Sequence, residues 1–101
     1  MAVYRNENTE NTTTMTTNHF FEEKMSLKAK GLLSLMFSLP GDWEYSEDAL
    51  TELSRDGRDS VRSAIKELES FGYLVRTQTR ENGAFGPIVY DIYETPQKNS
   101  R

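Results

Sequence analysis

Hydrophobic positions fall into helix-like stretches through most of the chain and then switch to a strand-like rhythm. Val61, Ala64, Ile65, Leu68 and Phe71 recur at three- and four-residue intervals, the spacing of one helix face. Arg58, Arg62 and Lys66 recur every four residues on a different face. Gly57 sits just before this segment, Asp56 is the expected N-cap, and Asp59 puts a negative charge in the first turn, where it suits the helix dipole. Gly72 can take the left-handed conformation that ends a helix. Residues 73–80 are rich in aromatic, β-branched and long polar side chains, which predicts a strand. Asn82-Gly83 supplies the positive-φ pair of a tight hairpin turn, and Gly86-Pro87 closes the loop. In the return strand, residues 88–93, Ile88, Tyr90 and Ile92 share one face, and Val89, Asp91 and Tyr93 the other.

Upstream, Ser26 is the expected N-cap of a helix running to about Leu39, where Pro40-Gly41 stops it. Leu32, Leu35, Met36 and Leu39 make one stripe, and Leu33 and Phe37 lie outside it. A helix apolar over so much of its circumference must be covered on more than one side. Either the Phe20-Phe21 segment covers the second side, or a second copy of the chain does. Trp43 and Tyr45 lie in the following loop and are expected to plug the base of the helices rather than stack on bases. Ser46 caps a short helix with Glu47 and Asp48 in its first turn and Ala49, Leu50 and Leu53 on its inner face. Arg55-Asp56-Gly57 is a compact turn into the next helix. Short helix, glycine-containing turn and second helix make a helix-turn-helix.

The expected organisation is a disordered arm at residues 1–10, one domain over residues 11–94, and a disordered tail or truncated linker at residues 95–101. The threonine-rich residues 11–17 are read as a short strand joining the hairpin sheet or as a polar arm. Phe20, Phe21 and Met25 are too apolar to stay in solvent and are expected to pack on the body. The fold class is therefore α+β: a winged helix-turn-helix with a three-helix core, a C-terminal β-hairpin wing, and room for a short N-terminal strand.

Composition narrows the function. A chain of 101 residues holds one small core and no sizeable substrate cavity. It has no cysteine, which excludes disulfides and thiolate metal sites and fits a cytoplasmic setting. No apolar run reaches membrane-spanning length, and the N-terminus is too polar for a signal peptide. The formal net charge of −4 argues against nucleic acid unless the cations cluster. Acidic residues do concentrate elsewhere, at Asp42, Glu44, Glu47, Asp48 and Glu52 and at Glu7, Glu10, Glu22 and Glu23. Enzymatic readings fail on inventory. His19 is the only histidine, it lies in a segment expected to be floppy, and no zinc set or catalytic triad can be assembled around it. The glycines at 83 and 86 precede no Gly-Lys-Ser/Thr and open no helix, so they form a turn and not a phosphate loop. No enzyme, metal or cofactor is expected.

MSLKAKGLLSLMFSLPGDWEYS, then SRDGRDSVRSAIKELESFGYLVR and a hairpin ending IVYDIYE, resembles helix-turn-helix replication initiators of phages and mobile elements of Gram-positive bacteria. It is similar, more distantly, to the N-terminal winged-helix domain of DnaD-type primosomal proteins. The resemblance covers residues 11–94 and implies a winged-helix fold, a role in DNA replication or its control, self-association and replication proteins as partners. The alternative is a winged-helix module that binds protein, or itself, through its acidic surface with no DNA contact.

The candidate DNA contacts are Arg58, Arg62, Ser63, Lys66, Arg76 and Arg80. If the third helix enters the major groove, Arg58 and Arg62 can each make a bidentate contact to guanine and Lys66 a phosphate contact, while Ser63 and Ser60 allow close approach. The plainer reading is a solvated face with intrahelical ion pairs to Asp59, Glu67 and Glu69. Arg76 and Arg80 flank Gln78 on one side of the first wing strand, as a basic wing or as edge protection. Lys28 and Lys30 are read as solvent-facing or as extra phosphate contacts. Phe85 at the hairpin tip is expected to fold onto the wing base or to act as a wedge.

Overall fold

Ser26 accepts a hydrogen bond from the Ala29 amide at 3.1 Å and opens α1, Leu27–Ser38. In the computed structural model, which describes residues 13–97, α1 is followed by α2, Glu47–Glu52, and α3, Arg58–Phe71. The hairpin β1, Leu74–Glu81, and β2, Ala84–Ile92, completes the domain. Ser46 caps α2 by accepting from the Ala49 amide at 3.0 Å. The N-cap of α3 is Gly57, not Asp56, and no side chain caps it. Gly72 ends α3 at φ 87°, and the Asn82-Gly83 turn has φ of 54° and 82°, the signs that a two-residue hairpin needs to match strand twist. Three helices followed by an antiparallel hairpin make this a winged helix-turn-helix of the α+β class.

The core runs between the inner faces of the helices and one face of the hairpin. Ala29, Leu33, Met36 and Phe37 of α1, Leu50 of α2, and Ala64, Ile65 and Leu68 of α3 are fully buried with Leu74 and Ile92. The deepest face of α1 is thus the Leu33–Phe37 side, while Leu35 and Leu39 of the expected stripe are only partly buried. Trp43 and Tyr45 close the base as expected. Their rings meet at 5.1 Å, Tyr45 lies 5.7 Å from Tyr90, and the Tyr45 hydroxyl donates to the Met36 carbonyl at 2.9 Å.

The cover on α1 differs from the expectation. Residues 18–21 form a 3₁₀ turn whose buried side chain is His19, and Phe21 stays exposed. The His19 ring packs on Phe37 at 5.6 Å and Tyr73 at 6.4 Å, so a ring expected in a floppy segment is part of the core. Residues 13–17 form no strand, and the sheet has two strands among the described residues. The proposed strand's first two positions and the arm at 1–10 lie outside the described residues. At the other end, the Gln97 amide donates to the Gly72 carbonyl at 2.8 Å.

The return strand starts at Ala84, four residues earlier than expected, because a bulge carries it past Gly86-Pro87. Gln78 pairs with Ile88 and Arg80 with Phe85, so Gly86 and Pro87 both face Thr79. Pro87 has no amide to donate, and such a position suits it. The Thr79 hydroxyl donates to the Pro87 carbonyl at 2.6 Å.

Candidate nucleic-acid interface

Burial of Val61, Ala64, Ile65 and Leu68 turns the opposite face of α3 to solvent. Asp59, Ser63, Lys66 and Ser70 occupy that face and are exposed. Lys66 has no ion-pair or hydrogen-bond partner among the described residues. Lys28 reaches across from α1 and its ammonium donates to the Ser63 hydroxyl at 3.3 Å. Lys30 is spent elsewhere, donating to the Phe20 carbonyl at 3.0 Å.

Arg58 and Arg62 border this face on the α2 side. Arg58 pairs with Asp48 and remains half exposed, at 51%. Arg62 is 43% exposed, and its Nε donates to Glu47 Oε1 at 3.1 Å. The intrahelical pairs of the plainer sequence reading do not form among the described residues. Glu67 instead clamps the start of α1, accepting from the Ser26 amide at 2.6 Å and the Ser26 hydroxyl at 2.8 Å. Glu69 turns to the wing.

Arg76 sits at the centre of this second arrangement. Its Nε donates to Glu69 Oε2 at 2.9 Å, its Nη2 to Glu69 Oε1 at 3.2 Å, and its Nη1 to Glu47 Oε2 at 3.1 Å. Only 19% of the side chain is exposed, and the guanidinium lies 5.8 Å from the Tyr90 ring. The hydrogen bonds that Arg76 donates to Glu69 raise its pKa further above its already high value, against an opposing burial cost. Burial pushes the Glu47 carboxyl up, but hydrogen bonds from Arg76 and Arg62 outweigh it and hold the pKa below the ordinary carboxylate value. Arg76 thus ties β1 to α2 and α3, a different setting from that of Arg80. Arg80 lies at the exposed wing tip with its guanidinium 4.6 Å above the Phe85 ring. Phe85 is 71% exposed and packs on Arg80, not on the wing base.

The sequence reading missed Glu47 as the shared partner of Arg62 and Arg76. The signal was faint, because the two partners lie 15 and 29 residues away. It also missed Lys28 as a neighbour of Ser63.

His19 carries the one buried side-chain nitrogen or oxygen with no hydrogen-bond partner, Nδ1, among the described residues. Its Nε2 is 2.7 Å from the Ser34 hydroxyl, which itself donates to the Lys30 carbonyl at 2.9 Å. Ser34 must therefore accept, which places the imidazole proton on Nε2. Burial, aided by the Lys30 charge, lowers the His19 pKa. No group of three or more histidine or acidic side chains is placed to hold a metal ion among the described residues.

A helix-turn-helix domain family matches residues 23–74, over half of the chain, from just before α1 to the first residue of β1. The chain belongs to that helix-turn-helix family. No curated protein and no solved structure matches it. In helix-turn-helix domains the second helix of the motif lies in the major groove. Here that helix is α3, and duplex DNA is the partner the family suggests. No helix among the described residues is long and apolar enough to cross a membrane.

Proposed function

We propose that this protein is a cytoplasmic, non-enzymatic DNA-binding protein that serves replication initiation or its regulation on a phage, plasmid or other mobile element. The observation that carries DNA binding is the open outer face of α3, uncovered by any other described element and bordered by Lys28, Arg58 and Arg62. In this reading α3 enters the major groove, Lys66 and Lys28 meet phosphates, and the wing tip brings Arg80 to the backbone. The replication role rests on the resemblance of residues 11–94 to phage and mobile-element initiators. Anisotropy titration with duplex DNA at low salt tests the binding. Arg62→Glu should lose it with an unchanged circular dichroism spectrum, and no binding by the parent at micromolar protein removes the proposal.

Self-association is supported by a separate observation. Leu27 is 85% exposed at the mouth of a groove of about 220 Å³ between α1, α2 and α3, lined by Gly31, Leu32, Leu35, Leu50 and Ala64. A projecting leucine beside an unfilled apolar hole is self-complementary under a two-fold axis. Gly31 has no neighbour within 4 Å of where a Cβ would stand, so a second α1 can approach closely there. Lys28 and Asp56 put both signs of charge on the groove rim. Sedimentation should show a dimer that Leu27→Glu converts to monomer. If this face works while duplex binding fails, the interaction-module reading replaces the DNA reading.

A further inference from the structure

The contacts of Arg62 leave a specific part of its guanidinium free. Glu47 Oε1 takes the Nε–H, at 3.1 Å, and no other protein group bonds the guanidinium among the described residues. The two terminal amino groups form the edge that makes end-on bidentate contact with guanine O6 and N7. Glu47 is itself held from behind, since its Oε2 accepts from Arg76 at 3.1 Å. Arg76 is gripped in turn by both oxygens of Glu69. Glu69, Arg76, Glu47 and Arg62 are thus a chain of alternating charge that starts on α3, passes through β1 and α2, and returns to α3 at its exposed edge. The inner three members are each less than a third exposed, and only Arg62 is open to solvent.

An unsupported arginine loses several rotors when it docks on a base, and that ordering weakens the contact. Arg62 is ordered in advance. We propose that Arg62 reads a guanine and that Glu47, backed by Arg76 and Glu69, is the positioning residue that aims it. The inference rests on the DNA-binding reading above and deepens it by naming the base and the groups that set the preference. Arg58 lacks this support, because its partner Asp48 has no further basic neighbour holding it among the described residues and is well exposed. Arg58 therefore contributes charge and little discrimination.

The test is selection from a pool of randomised duplexes, followed by titration of the selected duplex and of one with the guanine replaced. The parent should select a guanine and discriminate against its replacement by about ten- to a hundredfold. Arg62→Lys keeps the charge and loses the fork. It should lose the discrimination at that one position, with a much smaller loss on random duplex. Glu47→Gln should lose about tenfold of the discrimination while binding random duplex as well as the parent or better, because a negative charge has gone. Asp48→Asn removes the same charge one residue away and should keep the guanine preference. A merely structural role for Glu47 would weaken specific and random binding together. If Glu47→Gln does not fold, Glu69→Gln and Arg62→Lys decide. An unchanged base preference in Arg62→Lys, or equal losses on both duplexes in the acid variants, overturns this inference and leaves DNA binding intact. A parent that binds no duplex overturns both.

Discussion

The hairpin contains one cross-strand motif twice, with opposite outcomes. Arg76 lies opposite Tyr90, and Arg80 lies opposite Phe85, each guanidinium close to the facing ring. Near the helices the arginine is part-buried, held by Glu47 and Glu69, and the ring is in the core. At the tip the arginine has no carboxylate partner among the described residues and the ring stands in water. The chemistry of the pair is the same, so its role is decided by what lies beneath it. Where two acids reach the cation, the pair fastens the wing to the helices. Where none does, the pair is free for a phosphate.

The sharpest way to break that contrast is to delete each arginine. Arg76→Ala leaves two part-buried carboxylates facing each other and should cost about 2 kcal/mol, less than a fully buried pair would lose. In a domain of this size that lowers the melting temperature by about 10 °C. Arg80→Ala should cost about 0.5 kcal/mol or less. Equal shifts in thermal unfolding would dissolve the distinction.

DNA binding should invert the ranking. Arg76 is committed to carboxylates, and in the proposed DNA reading Arg62 meets a base and Arg58, Lys66, Arg80 and Lys28 meet phosphates. The log–log salt dependence should then have a slope of about −3 to −4, where five contacts including Arg76 would give about −4 to −5. Arg80→Ala should reduce the slope by about 0.9, and folded Arg76→Ala should leave it unchanged.

Acid sharpens the comparison more gently. The Glu47 pKa is lowered in the fold, so its contribution is present above the ordinary carboxylate pKa and is lost as pH falls through the folded value. Denaturant unfolding from pH 7 downward should show the parent and Arg80→Ala losing stability together below about pH 5. Glu47→Gln should lose less over the same range. The smallest effect belongs to Phe85→Ala, which should change stability by about 0.5 kcal/mol or less in the same assay, because the ring is exposed already.

The features legible in the sequence were those whose physics is local. Ser26, Ser46, Gly72 and Asn82-Gly83 each act within a few residues, and each does what its type and position predict. The core face of α3 follows from periodicity alone. The bulge was invisible because Gly86-Pro87 looks the same as a loop closure and as two residues opposite one. His19 was misjudged because a polar ring in a polar stretch carries no hydrophobic signal, and Ser34, which accepts its hydrogen bond, lies 15 residues on. At the candidate site, spacing brought out the cations of α3, but their partners belong to other elements. The plainer reading of the sequence had Glu67 and Glu69 neutralising neighbours on their own helix. Glu67 holds Ser26 and Glu69 holds Arg76, contacts set by how the helices and hairpin stack.

The junction at Gly72 has a practical consequence. The Gln97 backbone crosses so close to this glycine that a Cβ there would collide with it. The chain therefore leaves the described structure beside the C-terminal end of α3. Fourteen residues of helix separate that point from Arg58, about 20 Å at 1.5 Å per residue. A dye or surface tether attached after Gln97 starts at the opposite end of the helix from the first arginine, a favourable place from which to watch a duplex arrive.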